Sequence, residues 1–220
     1  WGILFKSSGG LNGAYSTIDY YFITVTDDEC AVLGYEYPFR GDDVPKNIGA
    51  NYGYYSGGGE HYGLDINNGN KIIEGTNLYA PGSGTVVDAD YDAVPRTYGA
   101  GYYITINMDD KYTLPGDEDA YVTYMHMQSM STYKGGDRVS KSSIVGKVGN
   151  TGYSYGAHLH IGIFNVPKWI SGNLSESNNP LRYYTQYKFT GIPEDRTEYD
   201  RDWRMEQEEN LTYPRELYII

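Results

Sequence analysis

The sequence predicts a mainly β fold, and three observations carry that expectation. Its 220 residues include 26 tyrosines and 28 glycines, a composition that favours strands and turns. Long helical periodicity is scarce. Short apolar runs with period-two alternation stand in its place, punctuated by Gly, Asp and Pro.

Taken in order, Tyr20-Tyr21-Phe22-Ile23-Thr24-Val25-Thr26 reads as a strand that Asp27-Asp28-Glu29 breaks, and residues 31–35 read as another. Gly41-Asp42-Asp43-Val44-Pro45 is a turn and a boundary. Beyond it, strands are expected at 78–80, 85–89, 102–106, 121–126, 143–146 and 158–163. Alternation in the run 121–126 puts Val122, Tyr124 and His126 on one face. Two loops look long, 88–101 and 109–120. The second carries Asp109, Asp110, Asp117, Glu118 and Asp119 and reads as a solvated acidic loop. After Pro180 the chain turns charged, with a short surface helix expected around 200–209. Three parts follow: a segment 1–42, a domain 43–187 and a charged extension 188–220.

The charge balance is 29 acidic against 17 basic residues, a net −12, so nucleic acid is not an expected partner. No run of about 18 apolar residues occurs, so no membrane span is expected. The single cysteine, Cys30, cannot form an intramolecular disulfide and reads as a small buried apolar residue. The chain opens Trp1-Gly2-Ile3-Leu4 and is expected to be a mature fragment or a trimmed piece, secreted or anchored through a segment not in this chain. The tyrosines read chiefly as half-buried strand residues. Tyr54, Tyr55, Tyr62, Tyr153 and Tyr155 flank the motifs below and are candidates to line a groove for a sugar–peptide polymer.

All four histidines fall in three short segments: Gly57-Gly58-Gly59-Glu60-His61-Tyr62-Gly63-Leu64-Asp65, Tyr124-Met125-His126-Met127 and Ala157-His158-Leu159-His160-Ile161. A catalytic zinc site takes three His or carboxylate ligands and keeps one position open. His61, Asp65 and one of His158 and His160 would supply them. Residues two apart on a strand share a face, so His158 and His160 face one point while Leu159 turns into the core. A straight strand would hold the Cα atoms of His61 and Asp65 roughly 13 Å apart, so the chain has to bend, and Gly63 permits that. A structural zinc site would be closed and cysteine-rich, which this set is not.

His61-x-x-x-Asp65 followed by His158-x-His160 resembles the lysostaphin/LytM-type zinc endopeptidases of bacterial cell walls. The resemblance runs from about Gly49 to Tyr184. It takes in the glycine-rich entry after Tyr52, Gly75-Thr76-Asn77-Leu78-Tyr79-Ala80-Pro81, Gly84-Thr85-Val86-Val87, Gly135-Gly136-Asp137-Arg138-Val139, the run 144–152 and Asn179-Pro180. It implies an antiparallel β-sheet core with long loops. It also implies that His61, Asp65 and His160 bind Zn2+, that His126 and His158 act on the metal-bound water and the transition state, and that Tyr55 helps stabilise the tetrahedral intermediate. Met127 stands where leucine is common and Ala157 where proline is common; both are apolar. Which of His126 and His158 is the general base stays open. The implied activity is hydrolysis of peptide cross-links or bridges of peptidoglycan by a secreted or wall-associated bacterial enzyme, expected as a monomer. A latent or non-catalytic wall-binding or regulatory domain of the same fold is the alternative. Members of that kind typically lack ligands that are present here.

Overall fold

The computed structural model describes residues 2–5, 21–24, 35–42, 44–55, 59–69, 71, 73–92, 99–109, 119–167 and 176–184. The chain divides into two compact units, Trp1–Val32 with Arg196–Ile220, and Leu33–Asp195. In the first, β1 (Gly2–Phe5) pairs antiparallel with β2 (Tyr21–Thr24), the strand expected at 20–26. Cys30, residues 31–34 of the expected second strand and the whole extension 188–220 lie outside the described residues.

The second unit is built on an antiparallel sheet. Side by side stand β11 (Arg138–Val139), β8 (Gly84–Asp92), β9 (Gly101–Met108), β10 (Tyr121–Met127), β13 (Leu159–Phe164), β6 (Gly63–Asn67) and β3 (Asn47–Ala50), and β14 (Ser177–Asn178) joins the end of β13. Two further ribbons pair β4 (Gly53–Tyr54) with β5 (Glu60–His61) and β7 (Asn77–Tyr79) with β12 (Ile144–Lys147). The six strands expected beyond the turn at 41–45 are present as β7, β8, β9, β10, β12 and β13. The stretch 88–101 is not simply a loop: residues 88–92 continue β8 and pair with 101–105.

Register sorts the side chains into two faces. Leu159 lies opposite Ile66, Ile161 opposite Leu64 and Tyr124, and Val122 opposite Ile163 and Ile106. All of these are buried, and removing such apolar surface from water drives the layer together. Over this face close β7, whose Tyr79 carbonyl accepts the Tyr124 hydroxyl proton at 3.0 Å, and an aromatic group from 35–39 and 183–184. Tyr35 stacks on Tyr183 at 5.1 Å and meets Tyr184 edge-on at 5.9 Å. Several tyrosines are thus full core residues outside strands rather than half-buried strand positions; Tyr35 and Tyr184 are 0 % exposed. The opposite face carries Asp65, His160 and Met125 in one row.

Candidate metal centre and groove

Asp65 on β6 and His160 on β13 are register partners, so their side chains rise from neighbouring strands on one face. His61 reaches the same point from the separate ribbon of β4 and β5. His160 Nδ1 lies 2.8 Å from Asp65 Oδ1, His61 Nε2 lies 3.2 Å from the same oxygen, and the two nitrogens are 3.1 Å apart. Four ligands at about 2.0 Å around a tetrahedral zinc stand about 3.3 Å from one another, so these three atoms fit such an ion with little movement. The change of ribbon between His61 and Asp65 supplies the expected bend. Gly63 serves differently from the expectation: a Cβ there would fall 2.4 Å from the Ile161 carbonyl oxygen and 2.5 Å from His160 Nε2. It is the floor beneath the His160 ring, and glycine is required by close approach.

Backbone carbonyls orient the other three rings. His61 Nδ1 pairs with the Asn51 carbonyl, His126 Nδ1 with that of Thr151 at 2.8 Å and His158 Nδ1 with that of Gly156 at 2.8 Å. A carbonyl only accepts, so each Nδ1 carries the proton and each Nε2 is left to act as acceptor or ligand. His160 alone presents Nδ1 to Asp65.

Burial opposes charge on Asp65, but the imidazoles of His158, His160 and His61 packed against it outweigh that and hold the carboxyl well below its usual range. Burial also lowers His160, with Asp65 opposing. Ligands kept deprotonated are ready for a cation.

His126 and His158 stand beside this triad, their rings 4.8 Å apart. Simple alternation would put His126 on the apolar face with Tyr124; the structure corrects this. The pairing of β10 with β9 slips between Tyr124 and Met127, and His126 has φ +59°. That β-bulge swings the ring to the face of Met125 and His160, 6.0 Å from His160. Burial, then the neighbouring His160 and His158, push His126 down to about 3. His158 is also buried, but Asp65, whose Oδ1 lies 3.5 Å from its Nε2, carries it above the ordinary value. A cation on Asp65 would take up that carboxylate charge, so the upward shift belongs to the metal-free protein.

The Tyr55 ring lies 4.3 Å from that of His61. Burial, then Asp65 and Tyr153, raise its hydroxyl well above the ordinary value, so it is a donor at neutral pH. Gly57 and Gly58 of the glycine-rich entry lie outside the described residues; on either side of them, the Tyr55 N–H donates to the Gly59 carbonyl at 3.0 Å. A groove of about 740 Å³ is lined by Asp65, His126 and His158, by Asn67 and Lys71, and by Tyr55, Tyr153 and Tyr155. Tyr62 does not join them: it packs against the cluster of Tyr103, Tyr121, Met125 and Phe164. The Tyr54 side chain lies outside the described residues, as do 110–118 of the acidic loop. Asp109 in that loop accepts two bonds from Arg138, at 2.7 and 2.8 Å. The contributions of Asn51, Thr151 and Gly156 escape sequence reasoning because their carbonyls, common to every residue, do the orienting.

Over residues 59–172 the sequence matches Peptidase family M23. It is 35% identical over 100 residues to an uncharacterized metalloprotease of Haemophilus influenzae, covering 46% of this chain and 18% of that protein. It is 35% identical over 115 residues to the glycyl-glycine endopeptidase ALE-1 of Staphylococcus capitis, covering 51% of this chain and 27% of the relative. The matches thus span 18% and 27% of those relatives' lengths. Among solved structures, the catalytic domain of lysostaphin from Staphylococcus simulans is 30% identical, with a TM-score of 0.49, covering 64% of this chain and 92% of that one.

Proposed function

The chain belongs to peptidase family M23, and from that premise we propose that it is a zinc-dependent endopeptidase hydrolysing the peptide cross-links or bridges of bacterial peptidoglycan. The observation that carries this reading is the meeting of His61 Nε2, Asp65 Oδ1 and His160 Nδ1 within 3.2 Å of one another, with two further histidines at their side. His61, Asp65 and His160 would hold the ion. Bound there, zinc lowers the pKa of water and polarises the scissile carbonyl.

The chain's own groups do the rest. His126 and His158 present Nε2 beside the triad; one accepts the proton of the attacking water and delivers it to the leaving amine, and the other stabilises developing charge. The Tyr55 hydroxyl, protonated at neutral pH, donates to the carbonyl oxygen as it becomes negative. Tyr153 and Tyr155, along the groove, offer flat apolar surface with a polar tip to an extended substrate. The name of the Staphylococcus capitis relative supports a bond between small residues as the target. The enzyme acts outside the cell or in the wall.

Metal analysis together with turbidity loss of purified walls tests the reading. About one zinc per chain and chelator-sensitive clearing are expected, and mass spectrometry of the fragments then names the bond. Zinc without release of any wall peptide would favour a latent or wall-binding domain; absence of zinc at saturating supply would overturn the metal site.

A further inference from the structure

The bulge at His126 interrupts the register between β9 and β10, and the backbone groups there need partners. The His126 N–H finds the Ala100 carbonyl at 2.8 Å, and one side chain serves two further groups. Thr151 Oγ1 accepts from the Tyr102 N–H at 3.0 Å and donates to the Met127 carbonyl at 2.7 Å, spanning the gap between the two strands. The carbonyl of the same residue accepts the Nδ1–H of His126 at 2.8 Å. Glycines make room for this. A Cβ on Gly101, whose φ is +64°, would fall 2.3 Å from Thr151 Oγ1, and one on Gly152 would fall 2.1 Å from the Gly99 carbonyl oxygen.

We propose that Thr151 is the positioning residue for His126: its hydroxyl holds the bulge open and its carbonyl fixes the ring tautomer, so that Nε2 is the nitrogen offered to the substrate. Thr151 does not touch the metal triad in any hydrogen bond described, and its hydroxyl is turned to the strands rather than to the groove. Its influence on the reaction therefore runs through His126, and this inference rests on the reading of His126 as a group that acts during hydrolysis. Serine retains the hydroxyl and valine retains the shape without it, so the two substitutions separate hydrogen bonding from packing.

The test uses the zinc-loaded chain with 15N-labelled histidine. Long-range proton–nitrogen spectra report which nitrogen of each neutral imidazole carries the proton. In the unsubstituted protein His126 is expected as the Nδ1–H tautomer; finding Nε2–H there overturns the proposal without any variant. In Thr151→Val the His126 signals are expected to shift or split between tautomers while zinc content is kept, and in Thr151→Ser to remain as in the parent. Cleavage of a wall peptide is expected to fall roughly tenfold to a hundredfold in kcat for the valine variant, with KM little changed, and to recover within a few-fold for serine. An unaltered His126 spectrum in folded Thr151→Val overturns the positioning role whatever the activity. The spectral effect without cleavage by any of the three proteins would instead count against the peptidase reading and leave the positioning intact. Should the valine variant fail to fold, Gly101→Ala, whose Cβ would press on both the hydroxyl and the carbonyl of Thr151, supplies the displaced state: an unchanged His126 tautomer there has the same adverse meaning.

Discussion

The Nδ1–H of His61 donates to the carbonyl of Asn51, and that bond leaves Nε2 as the ring nitrogen that meets Asp65. A ligand histidine oriented from behind keeps its lone pair aimed at the metal and gains basicity. The carbonyl belongs to the backbone, so Asn51→Ala is expected to retain zinc, whereas His61→Ala, Asp65→Ala and His160→Ala each lose it. Metal content after gel filtration checks this. Retention of a full zinc equivalent by any of the three ligand variants would remove that residue from the site.

Gly63 is expected to tolerate no side chain. Alanine would press on the Ile161 carbonyl and on the His160 ring at once, one contact opening the pairing of β6 with β13 and the other moving a ligand. Overpacking of this kind costs about 1–3 kcal/mol, and Gly63→Ala should lose zinc affinity together with stability in urea. Gly156→Ala is the control: nothing lies within 4 Å of a Cβ there, and its φ is outside the left-handed range. Its unfolding midpoint should match the parent's.

The sequence carried the strands that alternate strongly, such as 102–106 and 121–126, because apolar spacing is written in residue types. It brought His61, Asp65 and His160 forward as candidate ligands because histidine is scarce in this chain and falls beside a carboxylate or a second histidine at short spacing. The strand β6 was hidden beneath its own motif: Leu64 and Ile66 do alternate, but Gly63 and Asp65 read as site rather than sheet. The face of His126 was not legible, since a bulge depends on a backbone twist that a non-glycine residue does not announce. Tyr35, Tyr37 and Phe39 precede the turn read as a boundary, yet Tyr35 and Tyr37 pack against the Tyr184 ring far along the chain. Only the folded chain brings those ends together.

The left-handed backbone at His126 gives a second signature of the bulge. At φ +59° an L side chain costs roughly 1 kcal/mol that glycine does not. His126→Gly is therefore expected to unfold at higher denaturant than His126→Ala, against the usual order. Both should keep zinc and lose roughly a hundredfold or more in cleavage rate, the scale of a lost proton-transfer group. Equal stability of the two variants would argue that the bulge relaxes when the ring is gone.

Core packing under the site can be tested apart from chemistry. Leu159 sits between the two histidines of its segment but faces the opposite way, fully buried against Ile66. Leu159→Ala is expected to cost about 2–5 kcal/mol in stability, read from urea unfolding of the zinc-loaded protein. Zinc stoichiometry should hold at low temperature, because His158 and His160 project from the other face.

Tyr55 offers two roles that one pair of substitutions divides. Its ring packs on His61 at 4.3 Å, and its hydroxyl is held protonated. Tyr55→Phe keeps the ring contact and removes only the donor. If the hydroxyl meets the carbonyl oxygen in the transition state, the phenylalanine variant should lose roughly a hundredfold in kcat with zinc content and KM near the parent's. Tyr55→Ala also uncovers His61, and should add a loss of zinc affinity to the same fall in kcat. A phenylalanine variant as fast as the parent would reduce Tyr55 to a packing residue, because the only atom it lacks is the one assigned to catalysis.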